Sequence, residues 1–252
     1  MASAITVDGS LKTTVKYRKR VQDFFKKNGA AFDENHTYVH ALAVAGHCIR
    51  ALQHYATSDA TLTMNEWNAV VIAAFLHDVD DRKFTKSVDY ENAREMISDE
   101  DSITQELIIK MIDLVSCSKN GNRTDPNLPI WMYYPRWADR LESLGEQGVK
   151  TCESYNDFVG RAYYNEHTPR ITNMEELKRV APPERFENYI NSNGGSGSGT
   201  TTFTMIDHYY DKLVHLCVKT GNTYFDKEFE ERMRPIYDVV FEFGRTGTYV
   251  KK

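Results

Sequence analysis

The stretch AAFLHDVDDRKF, residues 73–84, decides how this chain is read. Four apolar residues, Ala73 to Leu76, mark a buried segment, and His77 and Asp78 follow at its end. A buried polar pair costs free energy unless a partner satisfies it. A metal ion is one such partner, and imidazole with carboxylate suits it as a ligand mix. Upstream, SDATLTMNEW opens the helix that delivers the pair. Thr63 or Asn65 is its candidate N-cap, with Glu66 in the first turn. Val70, Val71, Ala74 and Phe75 are its apolar residues, and it ends at His77-Asp78.

The same reading extends in both directions. Helices are expected over 11–28, where Gly29 supplies the stop, and over 37–56, 89–98 and 102–116. RWADRLESLGEQG, from residue 136, begins another, ended near Gly145 or Gly148. SKNGNRTDPNLP reads as a loop on its Gly, Asn and Pro content. Residues 165–203 hold Pro169, Pro182, Pro183 and then NSNGGSGSGTTT, and read as a loop or insertion whose Gly/Ser run is mobile. Helices resume over 204–218 and 226–243. With no strand-rich block and no repeat, the fold class is all-α. It is a multi-helix bundle forming one domain, with its core at about 30–160 and 204–243.

Composition bounds the function. A chain of 252 residues, 41% of them apolar, suits one large domain with a sizeable core. A net charge of -5 argues against a general nucleic-acid coat or an anionic membrane surface, while a local basic pocket for a compact anion stays open. Cys48, Cys117, Cys152 and Cys217 form no C-x-x-C and read as reduced thiols of an intracellular protein. No apolar run approaches the roughly 18 residues of a membrane helix, and MASAITVDGS lacks a signal pattern. The expectation is a cytoplasmic protein, with a homodimer left open. The 15 tyrosines can stack on a base or fill a helical core with a wet edge.

Metal-ligand arithmetic sharpens the opening question. His36, His40, His47 and His54 fall near one helical stripe. Seven residues rise about 10.5 Å, so His40, His47 and His54 cannot share one ion. ENHTYVHALAV supplies a His pair at i, i+4, the LHD tripeptide supplies His77 and Asp78, and WADRLESLG puts Asp139 in an apolar helix. Two His and two Asp from three helices make a plausible N2O2 shell for a divalent ion.

The ordered set His…His-Asp…Asp resembles that of the HD-domain metal-dependent phosphohydrolases. HDVDDRKF is similar to the H-D-x-x-D-x-K-F of the small bacterial YpgQ/YedJ-type HD hydrolases. ADRLESLG is similar to their D-A-D-R-L-E-A-L-G, and DHYYDKLVHL to their H-F-Y-D-K-L-L-K-L. The closing FEERMRPIYDVVFEF also fits, so the likeness covers roughly residues 36–243. It implies His40, His77, Asp78 and Asp139 as metal ligands. HTYVHALAV matches the family's first motif, H-x-x-x-H-x-x-R-V, with Ala43 in place of Arg. HCIRA at 47–51 keeps an Arg but lacks the earlier His, so His40 is favoured and His47 is the alternative.

A departure from the family pattern points to one ion rather than two. No His lies between 78 and 139, and Cys117 stands where the small hydrolases often carry one. This counts against dinuclear-iron oxygenases and dinuclear phosphodiesterases of the same fold. Mn, Mg, Fe, Co and Ni all suit such a shell. The resemblance further implies catalytic roles for Asp81, Lys83 and Glu142. His36, Lys119, Arg140, His208 and Lys212 would face the substrate. The implied activity is hydrolysis of a phosphate ester or anhydride in a nucleotide or similar small phosphorylated metabolite. A signalling-nucleotide hydrolase and a non-catalytic ligand sensor or scaffold are the alternatives.

Overall fold

A computed structural model describes residues 7–29, 32, 37–55, 62–82, 84–192 and 204–251. Among them are twelve α-helices and no strand. The chain divides into two compact units that interleave in sequence.

The first unit is Met1–Val115, Asp125–Asp139 and Asn222–Tyr224. It contains α1 (Val7–Asn28), α2 (Tyr38–Tyr55), α3 (Met64–Leu76), α4 (Glu91–Met96), α5 (Ser102–Val115) and most of α7 (Tyr134–Glu142). Its axis is α3, which packs on α1, α2 and α5. Every residue from Ala69 to Leu76 is buried, as a helix apolar on all sides requires. The start of α3 follows from its sequence. Thr63 Oγ1 accepts from Glu66 N at 3.2 Å, and Glu66 Oε2 accepts from Thr63 N at 2.7 Å, a reciprocal capping box. Charged contacts hold α1 in place: Arg20 donates to both oxygens of Asp99 at 2.8 Å, and Tyr17 Oη donates to Glu100 at 2.7 Å.

The return segment 222–224 covers the second half of α2. Asn222 Nδ2 donates to Ala51 O at 2.9 Å and to Tyr134 Oη at 2.8 Å. The Tyr224 hydroxyl accepts from Arg50 Nε at 2.8 Å and meets buried His47 at Nδ1.

The second unit is Ser116–Thr124, Arg140–Gly221 and Phe225–Lys252. It holds α6 (Cys117–Asn120), α8 (Gly145–Phe158), α9 (Met174–Val180), α10 (Pro183–Asn191), α11 (Met205–Asp211) and nearly all of α12 (Thr223–Thr246). Three sequence expectations are corrected here. The helix bearing Asp139 stops at Glu142, and Gly145, at φ +75°, lets the chain turn and open α8 rather than merely ending a helix. Residues 165–192 carry two helices instead of irregular loop. Asn173 Oδ1 caps α9 through Glu175 N at 3.1 Å and Glu176 N at 3.0 Å. Pro183 opens α10, where its missing N–H costs nothing. The helix expected over 204–218 ends at Asp211 and gives way to a 3-10 turn at Leu213–His215. The Gly/Ser run at 193–203 lies outside the described residues. Close approach also dictates one glycine: a Cβ on Gly244 would fall 1.6 Å from Ile171 O.

Candidate metal centre

The centre is assembled in the first unit from three helices. His77 caps the C-terminus of α3, and its Nδ1 lies 2.8 Å from Ala74 O. A carbonyl only accepts, so Nδ1 carries a proton, and in the neutral ring the Nε2 lone pair is left for the centre. His40 arrives on the first turn of α2, and Asp139 on α7. His40 Nε2 is 3.1 Å from His77 Nε2, 3.2 Å from Asp139 Oδ1 and 3.5 Å from Asp78 Oδ2. His77 Nε2 is 3.1 Å from Asp78 Oδ2 and 3.6 Å from Asp139 Oδ1. Ligand bonds of about 2.1 Å place neighbouring donors about 3.0 Å apart in an octahedron and about 3.4 Å apart in a tetrahedron. The observed separations match that range. His40, His77 and Asp78 all offer donor atoms within 4.8 Å of one another. Asp78 Oδ2 is buried and makes no hydrogen bond among the described residues, His77 Nε2 being near at 3.1 Å. A cation at the focus of these atoms is the satisfier such an oxygen requires.

The electrostatics agree. Burial opposes the charged forms of His40 and His77, yet the adjacent Asp139 and Asp78 carboxylates hold both imidazoles above their usual pKa. Burial would raise Asp78, but His77 and then His40 bring it down to about 2. Asp139 is held well below the carboxylate range, burial being outweighed by its hydrogen bonds to His40 and His77. Two carboxylates facing two imidazole nitrogens form a site for positive charge. A divalent ion there would displace protons from the histidines.

The other expected residues are placed as follows. Helix α3 ends before Asp81, which is half-buried and reached through turns. Its amide donates to Asp78 O at 3.1 Å, and its carbonyl accepts from Phe84 N at 2.9 Å. Lys83 and His36 lie outside the described residues. His47 pairs with Tyr224, away from the four-residue cluster.

The remaining five candidates belong to the second unit. Arg140, expected to face the substrate, is buried and donates to Gly121 O and to Asn122 Oδ1, the latter at 2.7 Å. Glu142 accepts from Arg232 Nη1 at 3.1 Å. His208 lies 5.6 Å from the Tyr189 ring. Burial, then Lys212 and Arg161, push the His208 pKa down to about 3. Lys119 is exposed on α6, and half-buried Lys212 forms the C-cap of α11.

One residue the sequence reading passed over is Asp80. It accepts from Asn92 N at 3.0 Å, from Ala93 N at 2.9 Å and from Ser87 Oγ. It thereby closes the base of the 81–91 segment. The signal was available as an acid a dozen residues before a helix start, but chain separation hides such a cap.

No protein-family model matches the chain. Protein L803 of Acanthamoeba polyphaga mimivirus, itself uncharacterised, is 35% identical over 244 residues, covering 88% of this chain and 93% of its own length. The chain belongs to one family with L803. Among solved structures, a Lactobacillus plantarum protein aligns at a TM-score of 0.60 and 20% identity, covering 93% of this chain and 96% of its own. An HD-superfamily hydrolase from Bacillus thuringiensis aligns at a TM-score of 0.59 and 17% identity, with the same coverage. The chain shares its all-α fold with both of these proteins. No helix of the described residues is long and apolar enough to cross a membrane.

Proposed function

We propose that the chain is a metal-dependent phosphohydrolase acting on a nucleotide or a similar small phosphorylated metabolite, with one divalent ion held by His40, His77, Asp78 and Asp139. The observation that carries this reading is the convergence of those side chains around a buried Asp78 oxygen that makes no hydrogen bond among the described residues. The fold supports it, since one neighbour is described as an HD-superfamily hydrolase.

A bound divalent ion supplies hydroxide near neutral pH and polarises a phosphoryl oxygen. The chain's own contribution begins with orientation. Ala74 O fixes the proton of His77 on Nδ1, so Nε2 stays a donor of its lone pair. Asp78 and Asp139 bring the negative charge that balances a cation. Asp81 follows Asp78 by one turn and is assigned to receive the proton of the attacking water. Lys83 is assigned to a phosphate oxygen.

The test is a screen of nucleoside mono-, di- and triphosphates against Mg, Mn, Fe, Co and Ni, with chelated samples as controls. Phosphate release that appears with metal and disappears with chelator supports the reading. A folded, metal-loaded chain that releases phosphate from none of them contradicts it.

A further inference from the structure

The corner that follows Asp78 is tied down one peptide group at a time. Val79 N donates to Leu76 O at 3.2 Å, and Asp78 O accepts from Asp81 N at 3.1 Å, so the peptides before Val79 and after Asp80 are held within the turn itself. The peptide between them is held from elsewhere. Its carbonyl, Val79 O, accepts from Asn92 Nδ2 at 2.8 Å, across a separation of 13 residues. We infer that Asn92 is a positioning residue of the metal centre. Its amide fixes the Val79 carbonyl, and through it the Asp78 carboxylate that faces the ion. The inference rests on the metal-centre part of the reading above and not on its phosphoryl chemistry.

The contact runs in both directions. Asp80 accepts from Asn92 N at 3.0 Å, from Ala93 N at 2.9 Å and from Ser87 Oγ. The Asp80 side chain thus holds the Asn92 backbone, while the Asn92 side chain holds the Val79 backbone. Val79 and Ala93 are fully buried beside this clasp. The Asn92 amide satisfies a carbonyl of the ligand corner rather than a group of its own helix, so helix stability alone does not account for it.

The backbone before α4 is bent to make this contact. Asp89 and Tyr90 lie at φ +51° and +60°, in the left-handed region. Aspartate tolerates that conformation, whereas a bulky tyrosine adopts it at a cost. Such a conformation persists where the surrounding structure over-determines it, and it is concentrated around functional sites. A six-residue helix with a cap from its own N-terminal turn would need no such bend. Here the bend delivers Asn92 to Val79.

The centre is demanding enough for the clasp to matter. Asp78 Oδ2 lies 3.1 Å from His77 Nε2 and 3.5 Å from His40 Nε2. A constellation of metal ligands works only when held to within about 0.5 Å of its geometry. Releasing the Val79 carbonyl frees the backbone one residue after a ligand. Partners that orient metal ligands in this way are worth about tenfold to a hundredfold in affinity.

Cobalt(II) titration of the full chain, stripped beforehand with chelator, tests the inference. Two quantities are read: the affinity, and the visible absorption of the bound ion, which follows its ligand geometry. Wild type should take one ion. Asn92→Ala should bind it about tenfold to a hundredfold more weakly and with a shifted band. Asn92→Gln, which keeps an amide donor, should recover part of that loss. Thr63→Ala controls for stability. It breaks the capping box of α3 and should keep the wild-type affinity and band. Cobalt binding by Asn92→Ala that matches wild type, or an equal loss in Thr63→Ala, overturns the inference. Should Asn92→Ala not fold, Ser87→Ala decides. It removes one donor to Asp80 and should weaken cobalt binding in the same direction, and unchanged binding overturns the inference. The two readings fail differently. A wild-type chain that binds no cobalt contradicts the metal centre and the inference together. A wild type that takes one ion beside an unaltered Asn92→Ala removes the inference and leaves the centre standing.

Discussion

Ala74 offers only a carbonyl, yet that group decides how His77 works. Once Nδ1 is committed to it at 2.8 Å, Nε2 has no proton of its own in the neutral ring. His40 and His47, both on α2, differ in the same way, by their partners. His40 faces His77 and Asp139, whereas His47 faces Tyr224. His40→Ala should therefore abolish metal uptake in a metal-content assay. His47→Ala should keep the metal and lower stability by about 1–3 kcal/mol in urea denaturation, the cost of an unmade buried hydrogen bond. The reverse pattern would move the centre two turns along α2. His208 gives a pH signature. Its folded pKa of about 3 lies below the ordinary 6.5, so the unfolded chain binds more protons between those values. Its contribution is constant above about pH 6.5 and turns against folding as pH falls towards 3. His208→Gln should flatten that part of the stability–pH curve, and an unchanged acid slope would show that the imidazole charges freely when folded.

Helix α4 is an element without a cap of its own. Its N-cap residue Tyr90 sits at φ +60° and forms no side-chain cap hydrogen bond. Asp80 supplies the acceptor from across the corner, bonding Asn92 N and Ala93 N. Asp80→Ala should cost about 1–2 kcal/mol, the usual loss of a cap, while metal content stays at the wild-type level. Asp80→Asn, which keeps an acceptor, should cost less, and equal losses in both variants would assign the effect to charge alone. Thr63→Ala, by the same scale, should cost about 1 kcal/mol at the head of α3. Helix α3 was legible in the sequence because its cap, first-turn acid and apolar run all agree. The stretch from 143 to 192 was not. There Gly145 and Pro183 were read as breakers, whereas the structure uses both to begin helices. Glycine and proline report a backbone angle, and an angle that ends one helix also starts the next.

Across the whole molecule, residues 40, 77, 78 and 139 converge in one unit although about a hundred positions separate the first from the last. Their order in the sequence made the cluster legible, because the motifs that carry it fix residue type and spacing. The supporting residues were harder to read. A motif gives the order of Arg140, Glu142 and His208 but not the direction of each side chain. Arg140 donates to the 121–122 turn, Glu142 accepts from Arg232, and burial pushes the His208 pKa down. The central claim is a single divalent ion held by the two histidines and two aspartates. Elemental analysis of the purified chain, beside His77→Ala and Asp78→Asn, measures it most directly. The account predicts close to one divalent ion per wild-type chain and loss of that ion in both variants. Two ions per chain, or full occupancy in His77→Ala, would contradict it.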